Sequence, residues 1–356
     1  MRRLLFSLIA TLSIYTTSSA QEVKNIIYLI GDGMGLSAVS MMQIENGYRP
    51  TIFDAADNVA LLKSYSADNR ITDSAAAGTA LACGEKTNNT YLGITPDGRE
   101  LTSLTALAAE RGKATGAVVT TYLQHATPGA FYAHTKSRSE YHLITKQLAE
   151  SHLDVAIGGG MTFFREVYGD DAAVEATLAT LGYDLVGDMS ELSEATGQHK
   201  TMALLGEYEV GADSGTYLAD ATREAVRLLE SRGGDNGFVL MVEGSLIDGM
   251  AHGNNVKDMQ KEMLGFMAAV EYAVAYAESH PDTLVVVTAD HETGGLTIVS
   301  NNADFRLSEQ GVDYKWSTNG HAGAMVPVYL YGAGAELVNG VMENSELGTK
   351  LKSLIE

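Results

Sequence analysis

Aspartate and histidine residues occur in this sequence at spacings that suit a metal site. In the stretch EGSLIDGMAHGNN, Asp248 and His252 are four residues apart, so a helical turn would place both side chains on one face. Asp290 and His291 are adjacent in VVVTADHETGG, directly after a strongly apolar segment. Carboxylate oxygen and imidazole nitrogen are natural ligands of zinc. Each motif alone also fits a solvated helix start or an ordinary polar turn, but together they indicate a metal site.

Two further segments add a histidine and a candidate nucleophile. His321 lies between Gly320 and Gly323, which would let the backbone approach a site closely, although an ordinary loop histidine is the alternative. Ser74 follows Asp73 and opens an alanine-rich helical segment, where backbone N–H groups and the helix dipole favour a nucleophile. A plain N-cap is the common alternative. Because no G-x-S-x-G motif is present, activation of this serine by a metal is favoured over a hydrolase triad.

The segments QHATPGAFYAHTKSR and YLIGDGMGLS contain the remaining candidates. His125 and Thr127 follow another apolar segment, and Arg138 could present its planar fork to phosphate oxygens unless it is an ordinary surface arginine. Asp32 lies in a glycine-rich loop, but a dinucleotide fingerprint requires glycine where Leu36 stands. A carboxylate in that loop would repel a pyrophosphate unless a metal lay between them. The loop therefore indicates a metal ligand.

The elements that must position these residues alternate along the chain. Apolar, β-rich segments are predicted as strands at 23–30, 114–120, 154–157, 238–242, 284–288 and 326–331. Helices are predicted at 74–83, 101–111, 141–151, 217–231 and 256–278, and residues 300–316 as a surface insertion or flap. This alternation predicts an α/β fold with a central, mostly parallel β-sheet flanked by helices on both faces. Polar residues, including Glu243, crowd directly after the strands, where parallel sheets bind ligands.

Charge and cysteine content restrict the function further. The formal net charge of −21 at pH 7 argues against a specific nucleic-acid partner, which would need clusters of Lys and Arg. An anionic substrate would need local positive charge from a metal or an arginine. The single cysteine, Cys83, excludes an intramolecular disulfide, so the core, bound metals or oligomerisation must stabilise the fold.

The first twenty residues have the layout of a cleavable secretory signal peptide. Two arginines precede an apolar run at 4–14 that is short for a bilayer, and small residues at 18–20 precede Gln21. A membrane anchor or a disordered leader is the alternative. Since no later stretch reaches transmembrane length, we expect one domain over residues 21–356, exported to the periplasm or the extracellular medium and free of the membrane.

The motifs together, in the order DSAAAGTA, HATPGAFYAH, EGSLID, ADHETGG and GHAG, resemble the alkaline phosphatase family from Asp32 to beyond His321. The resemblance implies that family's α/β sandwich, hydrolysis of small phosphate monoesters and a homodimer. It also implies that Ser74 is a nucleophile that becomes phosphorylated and that Arg138 holds phosphate. The implied metal ligands are Asp248, His252 and His321 for one zinc ion, Asp32, Asp290 and His291 for a second, and Asp32, Thr127 and Glu243 for one magnesium ion.

Two positions depart from one branch of that family. His125, expected in the outer layer near the phosphate, stands where that branch has aspartate, and Gly249 stands where it has lysine. Without the lysine we expect phosphate to be held less tightly and to leave faster. A related phosphodiesterase, nucleotide pyrophosphatase or sulfatase is an alternative, but Thr127 and Glu243 favour monoesters and the sulfatase motif is missing after Ser74. A non-catalytic exported protein that binds metal or phosphate is a second alternative.

Overall fold

A computed structural model describes residues 22–210, 216–301 and 311–355. The strands are β1 Asn25–Gly31, β2 Asn58–Lys63, β3 Ala114–Tyr122, β4 Val155–Gly159, β5 Tyr183–Val186, β6 Lys200–Leu204, β7 Phe238–Gly244, β8 Thr283–Thr288, β9 Glu292–Thr293, β10 Thr297–Ser300, β11 Val312–Lys315, β12 His321–Ala322, β13 Val326–Gly332 and β14 Gly340–Glu343. The helices are α1 Leu36–Glu45, α2 Ser74–Cys83, α3 Leu104–Glu110, α4 Ala126–Gly129, α5 Tyr141–Ala149, α6 Met161–Tyr168, α7 Asp171–Thr180, α8 Met189–Glu194, α9 Tyr217–Gly233, α10 Leu246–His252, α11 Val256–Ser279 and α12 Asn344–Ser353.

A ten-stranded sheet forms the centre of the molecule, in the order β14-β2-β13-β8-β1-β7-β3-β4-β6-β5. Within the described sheet β13 runs antiparallel to both of its neighbours, and the other pairs are parallel. β1 lies between β7 and β8, and all seven of its residues are buried. Its continuous apolar run suits a strand covered on both faces. The predicted α/β class with a mostly parallel sheet is confirmed.

Helices pack around this sheet in two sets. α9 and α11 contact one another and the central strands, whereas α2, α3 and α12 contact each other, with α3 against β3 and β7. Every residue of α2 is buried, and its small side chains permit close packing on α4. A Cβ at Gly78 would lie 3.2 Å from the Ala130 Cβ, so glycine lets the two segments approach closely without a shift of either. The packing fixes the N-terminal end of α2 beside the loop after β3.

The sequence predicted the central strands of the sheet better than the strands towards its ends. All six predicted strands exist, as β1, β3, β4, β7, β8 and β13, and α2 has the predicted bounds. The sequence reasoning missed β2, β5, β6 and β14, which are short or lie towards the ends of the sheet. It also missed the helices α1, α4, α6, α7, α8 and α12, whereas the helical turn expected at Asp248 and His252 exists as α10.

Part of the predicted 300–316 insertion forms a hairpin, because β10 and β11 pair antiparallel. Residues 302–310 of that segment lie outside the described residues, as does the signal peptide predicted at 1–20. Across the described part of the chain, none of the helices combines the length and apolar character needed to cross a membrane.

Candidate active site

The inner group comprises Asp32, Asp290 and His291, which follow two neighbouring strands. Asp32 comes directly after β1, and the other two follow β8, so the parallel strands deliver all three to one edge. The exposed fraction of each residue is 1% or less. His291 Nε2 lies 3.2 Å from Asp290 Oδ2 and 3.5 Å from Asp32 Oδ1. One ligand atom from each residue lies within 4.8 Å of the others, which is close enough to share an ion.

The outer group comprises Asp248 and His252 on α10 and His321 on β12. The helical turn places His252 Nε2 3.2 Å from Asp248 Oδ2, as the four-residue spacing predicts. β12 pairs with β9, and this short ladder brings His321 Nε2 to 3.8 Å from Asp248 Oδ1. The rings of His321 and His291 stack with centroids 3.6 Å apart. Asp248, His321 and His291 therefore also form a set of ligand atoms within 4.8 Å, whereas His252, expected to share an ion with Asp248 and His321, is not part of that set.

The third group comprises Asp32, His125 and Glu243, whose ligand atoms again lie within 4.8 Å of one another. Glu243 is on β7 and is fully buried, and His125 directly precedes α4 without a capping hydrogen bond from its side chain. Thr127 is also fully buried, on α4. His125, expected in an outer layer, thus lies among the candidate ligands. Its place two residues before Thr127 was the sequence signal for this.

Several polar atoms of the inner and third groups are buried without a hydrogen-bond partner among the described residues. These atoms are both carboxylate oxygens of Asp32, Asp290 Oδ2, Glu243 Oε1, Thr127 Oγ1 and His125 Nδ1. A buried carboxylate oxygen without a partner is costly, whereas a bound cation would satisfy it. Oxygen-rich and mixed oxygen–nitrogen donor sets suit magnesium and zinc respectively. The residues present therefore fit the ions that the sequence implied.

The pKa values of the buried groups reflect the negative charge that is concentrated at this edge of the sheet. Burial, with the charges of Asp290, Asp248 and Glu243, raises the pKa of Asp32 well above its usual value. Burial also raises the pKa of Glu243 to about 8. Burial, together with the nearby Arg138 guanidinium, lowers the pKa of His125 to about 3. A cation at this edge would favour the ionised carboxylates and the neutral imidazole, which are the forms that bind metal.

The outer group behaves differently, because its histidine compensates the carboxylate. Burial alone would raise the pKa of Asp248, but the hydrogen bond from His252 and other nearby groups lower it to below its ordinary range. The hydrogen bond to Asp248 raises the pKa of His252 to about 9. This pair already balances its charge in the protein, unlike the inner group.

Ser74 and Arg138 lie beside these groups. Ser74 is the first residue of α2, is 2% exposed, and has its Oγ 3.1 Å from His291 Nε2. The helix is capped by Asp73, whose Oδ1 accepts from the Ala76 N–H, so Ser74 is not the N-cap. The other Asp73 oxygen accepts from Arg138 Nη1 at 3.2 Å. Arg138 Nη2 lies 3.2 Å from His125 Nε2, which places its guanidinium between α2 and the third group.

Sequence reasoning missed Thr293, which shapes the site together with Gly33 of the loop that contains Asp32. Thr293 Oγ1 lies 2.5 Å from Asp248 Oδ1 and 3.1 Å from His291 Nδ1, so it connects the outer and inner groups. Gly33 has φ of +70°, and a Cβ there would lie 2.9 Å from Thr293 Oγ1. Thr293 is two residues after His291, the spacing at which side chains of an extended segment share a face, and that signal could have identified it.

Comparisons with known proteins agree with this geometry. The model of the alkaline phosphatase family matches residues 23–310. Alkaline phosphatase 4 of Bacillus subtilis is 30% identical, with 91% of this chain and 87% of that protein aligned. The alkaline phosphatase of Escherichia coli is 28% identical, with 97% and 88% aligned. The solved structure of alkaline phosphatase from the Antarctic bacterium TAB5 has a TM-score of 0.85 at 32% identity, covering 95% of this chain and 99% of that one. The chain belongs to the alkaline phosphatase family and is a phosphoric monoester hydrolase.

Proposed function

We propose that this protein hydrolyses small phosphate monoesters through a phosphoserine intermediate on Ser74, with two zinc ions and one magnesium ion. The main support is the convergence on one sheet edge of buried ligand atoms that lack partners, with Ser74 Oγ 3.1 Å from the inner-group histidine His291. Both the chemistry of the donors and their burial suit a cluster of cations. Such a cluster also supplies the positive charge that a chain of net charge −21 needs to hold phosphate.

Each ion has its own ligands in this proposal. The inner group binds one zinc ion and the outer group the other, while Asp32, Glu243, Thr127 and His125 surround the magnesium ion. A TAB5 alkaline phosphatase variant in which aspartate replaces a histidine has been solved with Mg bound in its M3 site, which supports a third ion in this fold. When bound, the zinc ions would stabilise negative charge on the attacking and leaving oxygens.

The residues of the chain account for the remaining steps. Ser74 Oγ attacks phosphorus, so a new O–P bond forms while the ester P–O bond breaks and the alcohol leaves with a proton. Arg138 donates hydrogen bonds to the phosphoryl oxygens, and Asp73 holds its guanidinium in place through the 3.2 Å contact. Water then cleaves the phosphoserine, which restores the Ser74 hydroxyl and releases phosphate.

The cellular setting is part of the same proposal. Residues 1–20 direct export, so the domain over residues 21–356 acts in the periplasm or outside the cell, as a homodimer and without a membrane or nucleic-acid partner. Streptomycin-6-phosphate phosphatase of Streptomyces griseus is 30% identical over 93% of this chain, and its name records a small phosphate monoester as substrate. That relative supports small substrates for this protein as well.

Replacing the nucleophile tests the proposal directly. We expect Ser74→Ala to lower the turnover of p-nitrophenyl phosphate by roughly 10³-fold or more, because the covalent step is lost. Metal content should be retained, and Ser151→Ala, at a buried serine next to Tyr183, should remain active. Quenching in acid should trap a phosphoryl group on the Ser74 peptide of the unmodified enzyme. Full turnover by Ser74→Ala would rule out this nucleophile.

A phosphodiesterase is the main competing function, and substrate comparison separates the two. The third group favours monoesters, because a cation held by Asp32, His125 and Glu243 would add positive charge beside the phosphoryl group. We expect p-nitrophenyl phosphate to be hydrolysed much faster than bis-p-nitrophenyl phosphate. Chelation should abolish the monoesterase activity, and zinc together with magnesium should restore it. A higher rate on the diester would favour the competing function.

A further inference from the structure

The histidines of the inner and outer groups each place Nδ1 within hydrogen-bonding distance of another atom of the protein. His252 Nδ1 lies 2.5 Å from the Asn319 carbonyl oxygen, and His321 Nδ1 lies 2.8 Å from the Thr72 carbonyl oxygen. Since a carbonyl oxygen only accepts, both Nδ1 atoms must carry a hydrogen. The Nε2 atoms of these two histidines are therefore the ones available to a metal, and the backbone alone fixes this tautomer.

His291 differs, because its partner is a side chain that can either donate or accept. Its Nδ1 lies 3.1 Å from Thr293 Oγ1, and this contact alone leaves the position of the hydrogen undetermined. The same hydroxyl lies 2.5 Å from Asp248 Oδ1, and a carboxylate only accepts. A hydroxyl has one hydrogen. If that hydrogen goes to Asp248, the oxygen must accept from His291 Nδ1–H, which leaves Nε2 unprotonated.

We infer that Thr293 is a positioning residue whose hydroxyl fixes the metal-binding tautomer of His291 and joins the outer group to the inner group. The freed His291 Nε2 is the atom that lies near Ser74 Oγ, Asp32 Oδ1 and Asp290 Oδ2. The inference rests on the metal assignment under the proposed function. Partners that orient metal ligands in this way commonly change metal affinity about 10- to 100-fold.

The surroundings of Thr293 hold its hydroxyl in place. The residue is 1% exposed, and it pairs with His321 across the ladder between β9 and β12. Its backbone N–H donates to the Gly33 carbonyl oxygen at 3.2 Å, which connects it to the loop that contains Asp32. A side chain at Gly33 would occupy the space of the hydroxyl. Segments that contain ligands of both zinc groups therefore meet at this one side chain.

Zinc affinity of the loaded enzyme, measured by competition with a chelator, tests the inference without using activity. We expect Thr293→Val, which removes the hydroxyl and preserves the shape, to weaken zinc binding by about 10- to 100-fold. Thr293→Ser should stay within a few-fold of the unmodified enzyme, because it keeps the hydroxyl. The matched control is Thr222→Val, since Thr222 is equally buried but its hydroxyl bonds the Leu218 carbonyl oxygen within α9.

Each outcome decides between the proposals. Unchanged zinc affinity in a folded Thr293→Val variant would overturn the inference, whereas an unmodified enzyme that bound no zinc would instead contradict the proposed function. If Thr293→Val does not fold, ¹⁵N NMR of the histidines in the metal-free unmodified enzyme tests the tautomer that the Thr293 hydroxyl sets before zinc binds. We expect the His291 hydrogen on Nδ1, and finding it on Nε2 would refute the inference. His291 signals can be assigned from their loss in His291→Gln.

Discussion

The inner and outer groups are held by different kinds of structure. Asp32 and Asp290 follow adjacent central strands of a ten-stranded sheet and are almost completely buried. His252 ends a seven-residue helix, with 39% of its side-chain surface exposed, and His321 lies on a two-residue strand. The core of the fold thus fixes one group, and short solvent-facing elements fix the other. We expect the inner ion to be held tightly and the outer ion to exchange more readily.

The largest expected effect comes from the inner group. Asp290→Asn removes a buried anionic ligand, and we expect kcat/KM for p-nitrophenyl phosphate to fall by roughly 10³-fold, the equivalent of several kcal/mol of charge stabilisation. Excess zinc should not restore activity. In contrast, His252→Asn should cost roughly 10- to 100-fold, comparable to the loss of a supporting group, and excess zinc should restore most of it. If excess zinc restored the activity of both variants equally, the expected difference in ion binding between the inner and outer groups would be contradicted.

Removal of metal by a chelator should leave the buried carboxylates uncompensated, so that the stability of the protein depends on pH. Burial raises the pKa of Glu243 from about 4.5 to about 8, so its protonated form stabilises the fold and this contribution is lost as pH rises through about 8. The raised pKa of Asp32 acts in the same direction. We expect the melting temperature of chelated protein to fall between about pH 5 and about pH 9 more steeply than that of metal-loaded protein. Glu243→Gln should flatten the profile of the chelated protein, and an unchanged profile would count against this origin.

Two glycines with similar backbone angles allow the effect of crowding around Thr293 to be measured separately from the effect of backbone strain. Gly33 and Gly47 both have φ near +70°, but a Cβ would meet Thr293 Oγ1 and Asp248 Oδ1 at the first and nothing within 4 Å at the second. Gly47→Ala should cost about 1 kcal/mol in urea unfolding and leave activity intact. Gly33→Ala should cost more, up to about 3 kcal/mol, and lower zinc affinity as well. Equal costs would show that only the dihedral angle matters.

The smallest expected effect concerns product release. A Cβ at Gly249 meets nothing within 4 Å, and the residue lies next to Asp248, so a lysine has room there. We expect Gly249→Lys to tighten inhibition by inorganic phosphate a few-fold, because its ammonium would attract the anion. Product inhibition curves measure this. An unchanged inhibition constant would refute the hypothesis that Gly249 leaves phosphate loosely held.

The sequence predicted the elements whose signal is local and missed those that depend on distant partners. Buried parallel strands such as β1 and β8 are continuous apolar runs and were identified. β14 was missed because it is four residues long and pairs with β2, far away in the chain, while Val341 remains 58% exposed. Its character as a strand comes from its partner rather than from its own composition.

The same distinction holds for the candidate site. Asp248 and His252 could be paired from their spacing, because a helical turn fixes the distance between them. His125 lies beside Asp32 and Glu243 because distant segments of the chain meet there, although its place two residues before Thr127 gave a local signal. The capping of α2 by Asp73 is a local contact with the Ala76 N–H, which the sequence reasoning did not identify. The residue types and their positions suggested a nucleophile at Ser74 and a phosphate contact at Arg138, and the resemblance to the alkaline phosphatase family favoured these roles over the structural alternatives. Both roles stay predictions until the variants are measured.

The wide separation in sequence of the residues that touch in the site has a consequence for folding. The Gly33 N–H donates to Asp290 across 257 positions, and His321 bonds the Thr72 carbonyl oxygen across 249. Contacts between residues so far apart in the sequence form late, because closing the long loops between them has a large entropic cost. The outer group of candidate metal ligands is therefore complete only after the segment that contains His321 has packed against the rest of the fold. Under the proposed function, binding of the zinc ion of the outer group should consequently report the completion of folding.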